Sequence, residues 1–547
     1  MKKFLIFIIL VSLSLSVFSQ EKKAPDKPKL IVGIVIDQMR YDYIYRYWDK
    51  FGENGFKKLV NTGSFCKNTN YNYLLNHSSS AYATIATGTT PSNHGIISDS
   101  WYLRLKNTNQ YCVNSEKEKL VGTDSEGVGK SPEHLISPTW SDELKFSNFK
   151  MSKVISISLK DYGAILSGGF LANVAYWFDN KTGNWITSTY YDETQKTWVQ
   201  DFNDKKFPDV YIGRKWDTFL PMKDYFASIY DDYPYEKGFY GQHTFPYDLS
   251  EIKQKKGDYS ILKQTPYGNT YVKDFALFAL VKENMGKDQY TDFLSISFSA
   301  CGNISDIFGI RSVEVEDAYI RLDKDIEHLI NSLEDIVGKE NVLIYLTADR
   351  GSGDIPEMLE GMKMKSNYFD IQSSMVVLSS YLRILYGNKD WIETYYDGQI
   401  YLNRELIEDS KYSLSDFQKT TANFFVQFTG VSNAIAMSLI QEGDFKGDIM
   451  SKAKNSYNQK RSGDIFINLS PGWAMKPEKN RRNSLSARTS AYTENTHVPL
   501  IWYGWKIPQK NIFRATTPAD IATTISFFLN INSSSMNTGE PIEEIIK

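Results

Sequence analysis

Residues Leu30-Ile31-Val32-Gly33-Ile34-Val35-Ile36 form an unbroken apolar run rich in β-branched side chains, and Asp37 ends it. Seven such residues without polar alternation read as a strand buried on both faces, as in parallel sheets. Four further stretches have the same character, namely Val154 to Leu159 ending at Lys160, Phe293 to Phe298, Val342 to Thr347 ending at Ala348-Asp349, and Pro499 to Tyr503. Helical spacing lies between them, clearest from Val315 through Ile320, Leu322, Ile326 and Leu329 to Leu333. Strands alternating with helices predict an α/β fold with a mostly parallel sheet sandwiched by helices. Such sheets bind ligands beyond the carboxyl ends of their strands. Asp37, Lys160 and Asp349 stand at those ends.

The 547 residues carry 62 Lys+Arg against 65 Asp+Glu, a net charge of −3, which argues against a nucleic-acid partner. Length allows several domains or one large α/β domain with insertions. Residues 20–547 are taken as one such domain. Tyrosine-rich, weakly periodic stretches at about 180–290 and 360–485 are expected to build a cap, with Trp185, Tyr190, Tyr191 and Trp198 as packing residues. Pro518 should open a last helix running to Phe528.

Met1-Lys2-Lys3, an apolar run from Phe4 to Val17, and Phe18-Ser19-Gln20 describe a signal peptide cleaved after Ser19. The expected location is the periplasm or beyond, with no stable membrane insertion after cleavage. Cys66 and Cys112 can pair there, which would leave Cys301 alone. No CxxC or Cys/His cluster exists, which excludes a zinc finger. The chain has only six His.

Several motifs together are more specific. They are Ile36-Asp37-Gln38-Met39-Arg40, Thr87-Gly88-Thr89-Thr90-Pro91-Ser92-Asn93-His94-Gly95-Ile96, Ser158-Leu159-Lys160-Asp161, Leu346-Thr347-Ala348-Asp349-Arg350-Gly351 and Thr496-His497-Val498-Pro499. With Ala175-Tyr176-Trp177-Phe178-Asp179, Phe308-Gly309 and Ser312-Val313-Glu314-Val315-Glu316-Asp317, the chain resembles the alkaline phosphatase superfamily over essentially its whole mature length. Within it, the chain is most similar to the phosphate-irrepressible, type I phosphodiesterase-like branch. The resemblance implies an alkaline-phosphatase-like α/β fold in which two zinc ions activate a Thr or Ser that attacks a phosphate ester. Zinc would lower the hydroxyl's pKa, polarise the phosphoryl group and stabilise the leaving oxygen.

Carried over position by position, the resemblance keeps two of six metal ligands, Asp37 and Asp349. The other four positions hold Gly302, Asp306, Arg350 and Arg488. A guanidinium stays protonated and offers zinc no lone pair. The nucleophile position falls on Ser78. The phosphate-contacting Asn is Asp99, whose carboxylate would repel a phosphate. Of the family's Lys-x-Arg pair, Lys160 remains, while Tyr162 lacks the Arg's bidentate fork.

These substitutions imply a catalytically inactive phosphatase-family protein, a binding or scaffold component of the cell envelope whose partner is an envelope protein or small molecule. No cofactor is expected in that case, and Arg350, with Arg488, is expected to stand in for the missing metal charge beside Asp37 and Asp349. The alternative is a phosphoric or sulfuric monoester hydrolase with Ser78 as nucleophile, using Mg²⁺ or Ca²⁺ held by Asp37, Asp99, Asp306 and Asp349. His94 and His497 are expected to be structural. His77, next to Ser78, should point elsewhere.

Overall fold

The computed structural model describes residues 24–443, 445–476, 485 and 491–546. The expected signal peptide and Arg488 lie outside the described residues. The strands of the two main sheets are β1 (Leu30–Ile36), β2 (Ser64–Asn70), β3 (Leu120–Val121), β4 (Val154–Ser158), β5 (Val174–Phe178), β6 (Trp185–Ser188), β7 (Asp292–Phe298), β8 (Val342–Ala348), β9 (Ile392–Tyr396), β10 (Gln399–Leu402), β11 (Val431–Ala436), β12 (Ile465–Leu469), β13 (His497–Gly504) and β14 (Lys510–Ile512). Each of the five stretches expected to be a buried strand coincides with one of these elements.

Ten of them form one sheet in the order β14-β2-β13-β8-β1-β7-β4-β5-β6-β3. The centre, β8-β1-β7-β4-β5, is parallel, and β13 and β6 join it antiparallel. Every residue of β1, β7 and β8 is buried. That two-sided burial explains the continuous apolar runs. Gly33 is needed mid-strand because a Cβ there would collide with the Tyr345 ring of β8.

The helices that matter for the site are α1 (Ser78–Thr87), α2 (Asp161–Gly168), α3 (Tyr267–Lys282), α4 (Ala300–Phe308) and α5 (Val313–Ile336). Ser312 caps α5 by accepting a hydrogen bond from Val315 N at 3.2 Å. The helix Asp520–Leu529 begins just after Pro518, as expected, but it is not the last: a short helix, Glu543–Ile546, follows it. Among the described residues, no helix is long and apolar enough to cross a membrane.

The stretch 180–290 is not all cap. β6 pairs with β5 in the central sheet, and α3 contributes Phe275 and Ala276 to the main core. Trp185 is fully buried and stacks on Phe275 at 4.6 Å. Residues of the second stretch form a four-stranded antiparallel sheet, β9-β10-β12-β11, with a hydrophobic cluster around Leu378, Trp391, Phe417 and Phe425. Cys66, Cys112 and Cys301 are all buried and unbridged, so the Cys66–Cys112 pairing does not form here.

Candidate functional site

Register brings the two retained carboxylates together. Ile36 on β1 lies opposite both Phe298 on β7 and Ala348 on β8, so Asp37 and Asp349 leave the sheet side by side. Both are fully buried. Asp37 has a partner on each oxygen. Tyr82 donates to Oδ1 at 2.5 Å, and the Lys160 ammonium lies 2.6 Å from Oδ2. Burial alone would lower Lys160, but the Asp37 charge outweighs it and holds the ammonium well above the usual lysine range.

Asp349 is held differently. Its Oδ1 accepts the Gln38 backbone N–H at 2.7 Å, while no standard hydrogen bond reaches Oδ2. Burial, and then the neighbouring Asp37 charge, pushes Asp349 up to about 6. Arg350, Lys160 and the nearby Ser78 hydroxyl oppose that rise. Gln38 adopts a left-handed backbone at φ 58° and ties the site to α4. Its Nε2 donates to Asp306 Oδ1 at 3.1 Å, and its Oε1 accepts from Ser305 at 2.7 Å.

Arg350 acts on Asp349 as expected, but without a direct ion pair to either carboxylate among the described residues. Its Nη1 donates to Gly351 O at 3.3 Å, and its charge reaches Asp349 through space rather than by a direct pair. The ammonium of Lys160 occupies the position beside Asp37 instead. Lys160 carries a long flexible stem and comes from the next parallel strand but one, which lets it reach across the strand ends.

Ser78 opens α1, with His77 still in extended conformation at φ −93° and ψ 154°. No local side chain caps this helix. Asp99 does so from outside, accepting from Ser79 N at 3.2 Å. His77 turns away from Ser78, with its Nε2 2.9 Å from Asp397 Oδ2. Burial would lower His77, but the Asp397 carboxylate outweighs it and raises the imidazole above its ordinary range. Asp397 sits at the tip of the β9–β10 hairpin, where it and Gly398 both have positive φ, 50° and 76°. It also accepts a hydrogen bond from Ser98. One hairpin-tip carboxylate therefore holds the residues just before Ser78 and Asp99.

Tyr162 is buried, with Lys160 Nζ 5.8 Å from its ring centroid. Burial pushes Lys263 down to about 8, with Lys160 adding to the effect and Asp161 opposing it. His94 and His497 behave structurally. Thr84 Oγ1 lies 3.1 Å from His94 Nε2, and burial, followed by Arg461, pushes His94 down to about 3. His497 stacks on Tyr41 at 4.0 Å and lies 3.0 Å from Lys67 O.

The donor set does not fit a zinc pair. Among the described residues, no three His, Cys, Asp or Glu side chains are grouped to hold a metal. Both Asp37 oxygens are engaged, one of them by a cation. A Cβ added at Gly302 would lie 3.0 Å from Asp37 Cβ, so a ligand side chain there would press on Asp37. The oxygen-rich set is not assembled either, since Asp99 is drawn to the start of α1 and Asp306 to Gln38. Tyr82, Gln38, Asp397 and Lys263 were not singled out from sequence. Tyr82 carried a usable signal, lying one helical turn after Ser78, and Asp397-Gly398 carried that of a hairpin turn.

Residues 31–498 match the family model of type I phosphodiesterase / nucleotide pyrophosphatase. The chain is 36% identical to a protein named calcium-transporting ATPase from Myroides odoratus, covering 98% of this chain and 97% of that one. It is also 36% identical to alkaline phosphatase PafA of Elizabethkingia meningoseptica, covering 100% of this chain and 99% of that one. The crystal structure of wild-type PafA superposes with a TM-score of 0.90 at 34% identity, covering 96% of this chain and 100% of that one.

Proposed function

We propose, for a chain that belongs to the type I phosphodiesterase / nucleotide pyrophosphatase family of the alkaline phosphatase superfamily, that its site no longer supports two-zinc phosphate-ester hydrolysis. On this proposal it is a secreted or periplasmic protein that serves as a binding or scaffold component. The observation that carries it is the pair of contacts on Asp37, Tyr82 at 2.5 Å and Lys160 at 2.6 Å. A carboxylate whose oxygens face a hydroxyl donor and an ammonium is neutralised by its own chain and needs no metal.

The remaining groups favour the same proposal. Zinc, where the family binds it, supplies Lewis-acid activation of the nucleophile. Here His77 does not serve Ser78 as a base, because the imidazole is turned to Asp397. The Asp99 carboxylate at the start of α1 takes up a backbone N–H and disfavours an incoming phosphate. Lys160 is committed to Asp37 and would have to give up that pair to bind an oxyanion.

Calorimetric zinc titration of the metal-free protein tests this proposal. No stoichiometric site is expected, and a tight isotherm with two zinc ions per chain would overturn it.

A further inference from the structure

Away from the strand ends, the first two turns of α5 carry three acids, Glu314, Glu316 and Asp317, all fully buried. Each holds the strap 216–248 that crosses them. Tyr247 donates to Glu314 Oε1 at 2.5 Å, and Ser228 donates to Glu316 Oε2 at 2.5 Å. Asp317 accepts from Trp216 at 2.8 Å, Tyr225 at 2.6 Å and Phe219 N at 2.7 Å. Arg321 lies 2.7 Å from Asp317, giving that acid a cation.

Glu314 has no such cation, and the strap brings a second carboxyl to it. Glu236 is 6% exposed, and neither of its oxygens has a hydrogen-bond partner. Glu314 Oε2 and Asp231 Oδ1 are likewise without one. The surroundings are aromatic: Phe239, Phe245, Tyr247 and Phe308 pack ring against ring with Trp216. The charged or titratable groups facing Glu236 are Glu314, Asp231 and Asp232, with Tyr247 beside them. His243 lies 3.3 Å from Asp232 and also faces Asp231. These acids do not converge in a group of three that could hold a metal.

Ionising acids with no cation and with bare oxygens in such a box is disfavoured, because charge without water or a counterion is costly there. We propose that the strap 216–248 is an alkaline-released cover, kept shut by protons on Glu236 and Glu314 and detached from α5 when those protons are lost. Burial, then the neighbouring acids, pushes Glu236 up to about 10, and burial pushes Glu314 up to about 8. The open strap returns both to water, near the ordinary value of 4.5. A closed state that binds more protons than the open one loses stability as pH rises between those limits. The strap also supplies Ile229, Tyr233 and Tyr235 to a cleft shared with Arg311, Asp354 and Met358. Detachment would uncover that cleft.

Amide hydrogen exchange of the full chain at pH 7, 8 and 9, corrected for intrinsic rates, tests the proposal. The opening constant of 225–247 should rise about tenfold per pH unit for each proton released, while the second half of α5 stays unchanged. The double variant Glu236→Gln/Glu314→Gln should flatten that dependence, because an amide stays neutral. Should the variant fail to fold, the wild-type pH series still decides. A wild-type strap with equal corrected protection at pH 7 and 9 would overturn the proposal, and so would a folded double variant that keeps the wild-type slope.

Discussion

Lys160 Nζ lies 2.6 Å from Asp37 Oδ2, joining the ends of two strands of the central sheet by a buried ion pair 123 residues apart in sequence. Its Asp37 end is fully buried and its Lys160 side chain is 21% exposed. Removing one partner from such a pair leaves a buried charge alone. Lys160→Met should therefore destabilise the fold by roughly 3 kcal/mol, whereas Lys160→Met/Asp37→Leu should recover most of that loss. Urea unfolding of the two single variants and the double variant measures the coupling. Additive losses would show that the pair does not act as a unit.

The hairpin tip contact predicts a pH dependence. Because Asp397 raises His77 above its ordinary range, the pair contributes stability that is fully present below the unfolded histidine value. That stability is lost as pH rises through the folded one. Asp397→Asn should be less stable than wild type at pH 5.5, by roughly 1.5 kcal/mol, and the difference should shrink by pH 9. A gap that is constant with pH would assign the effect to packing alone.

Gly302 offers a reverse test. Gly302→Asp restores a carboxylate where the family resemblance places one, yet its Cβ would press on Asp37 Cβ at 3.0 Å. Overpacking of this kind costs roughly 1–3 kcal/mol, and a third acid would crowd Asp37 and Asp349. The variant is expected to have a lower melting temperature and no gain in bound zinc. A stable variant that takes up zinc would show that the site is only one residue from a metal centre.

The strands at the centre of the sheet were legible because burial on both faces removes every polar alternation, as in Leu30–Ile36 and Val342–Ala348. The carboxylates at their ends followed from strand polarity. The partner of Asp37 was not legible. Lys160 was visible as a residue at a strand end, but its pairing with Asp37 depends on strand order, and sequence spacing does not encode strand order. Arg350 looked the better candidate because it adjoins Asp349 in sequence, yet adjacent residues leave a strand end in different directions, and its guanidinium turns to Gly351 O. Asp397-Gly398 carried a recognisable hairpin signal. Its reach to His77 depends on how the cap docks, which no local pattern records. The Glu236 and Glu314 box was missed because a buried acid without a cation looks, in sequence, like any surface glutamate.

On the proposed function, the chain neutralises its own site and does not hydrolyse phosphate esters through zinc. The most direct measurement is zinc content of the purified protein, taken together with 4-nitrophenyl phosphate turnover in the wild type and in Ser78→Ala, with zinc, magnesium or calcium added. The predicted result is zinc far below one ion per chain and turnover that Ser78→Ala leaves unchanged. About two zinc ions per chain, with robust turnover that vanishes in Ser78→Ala, would contradict it.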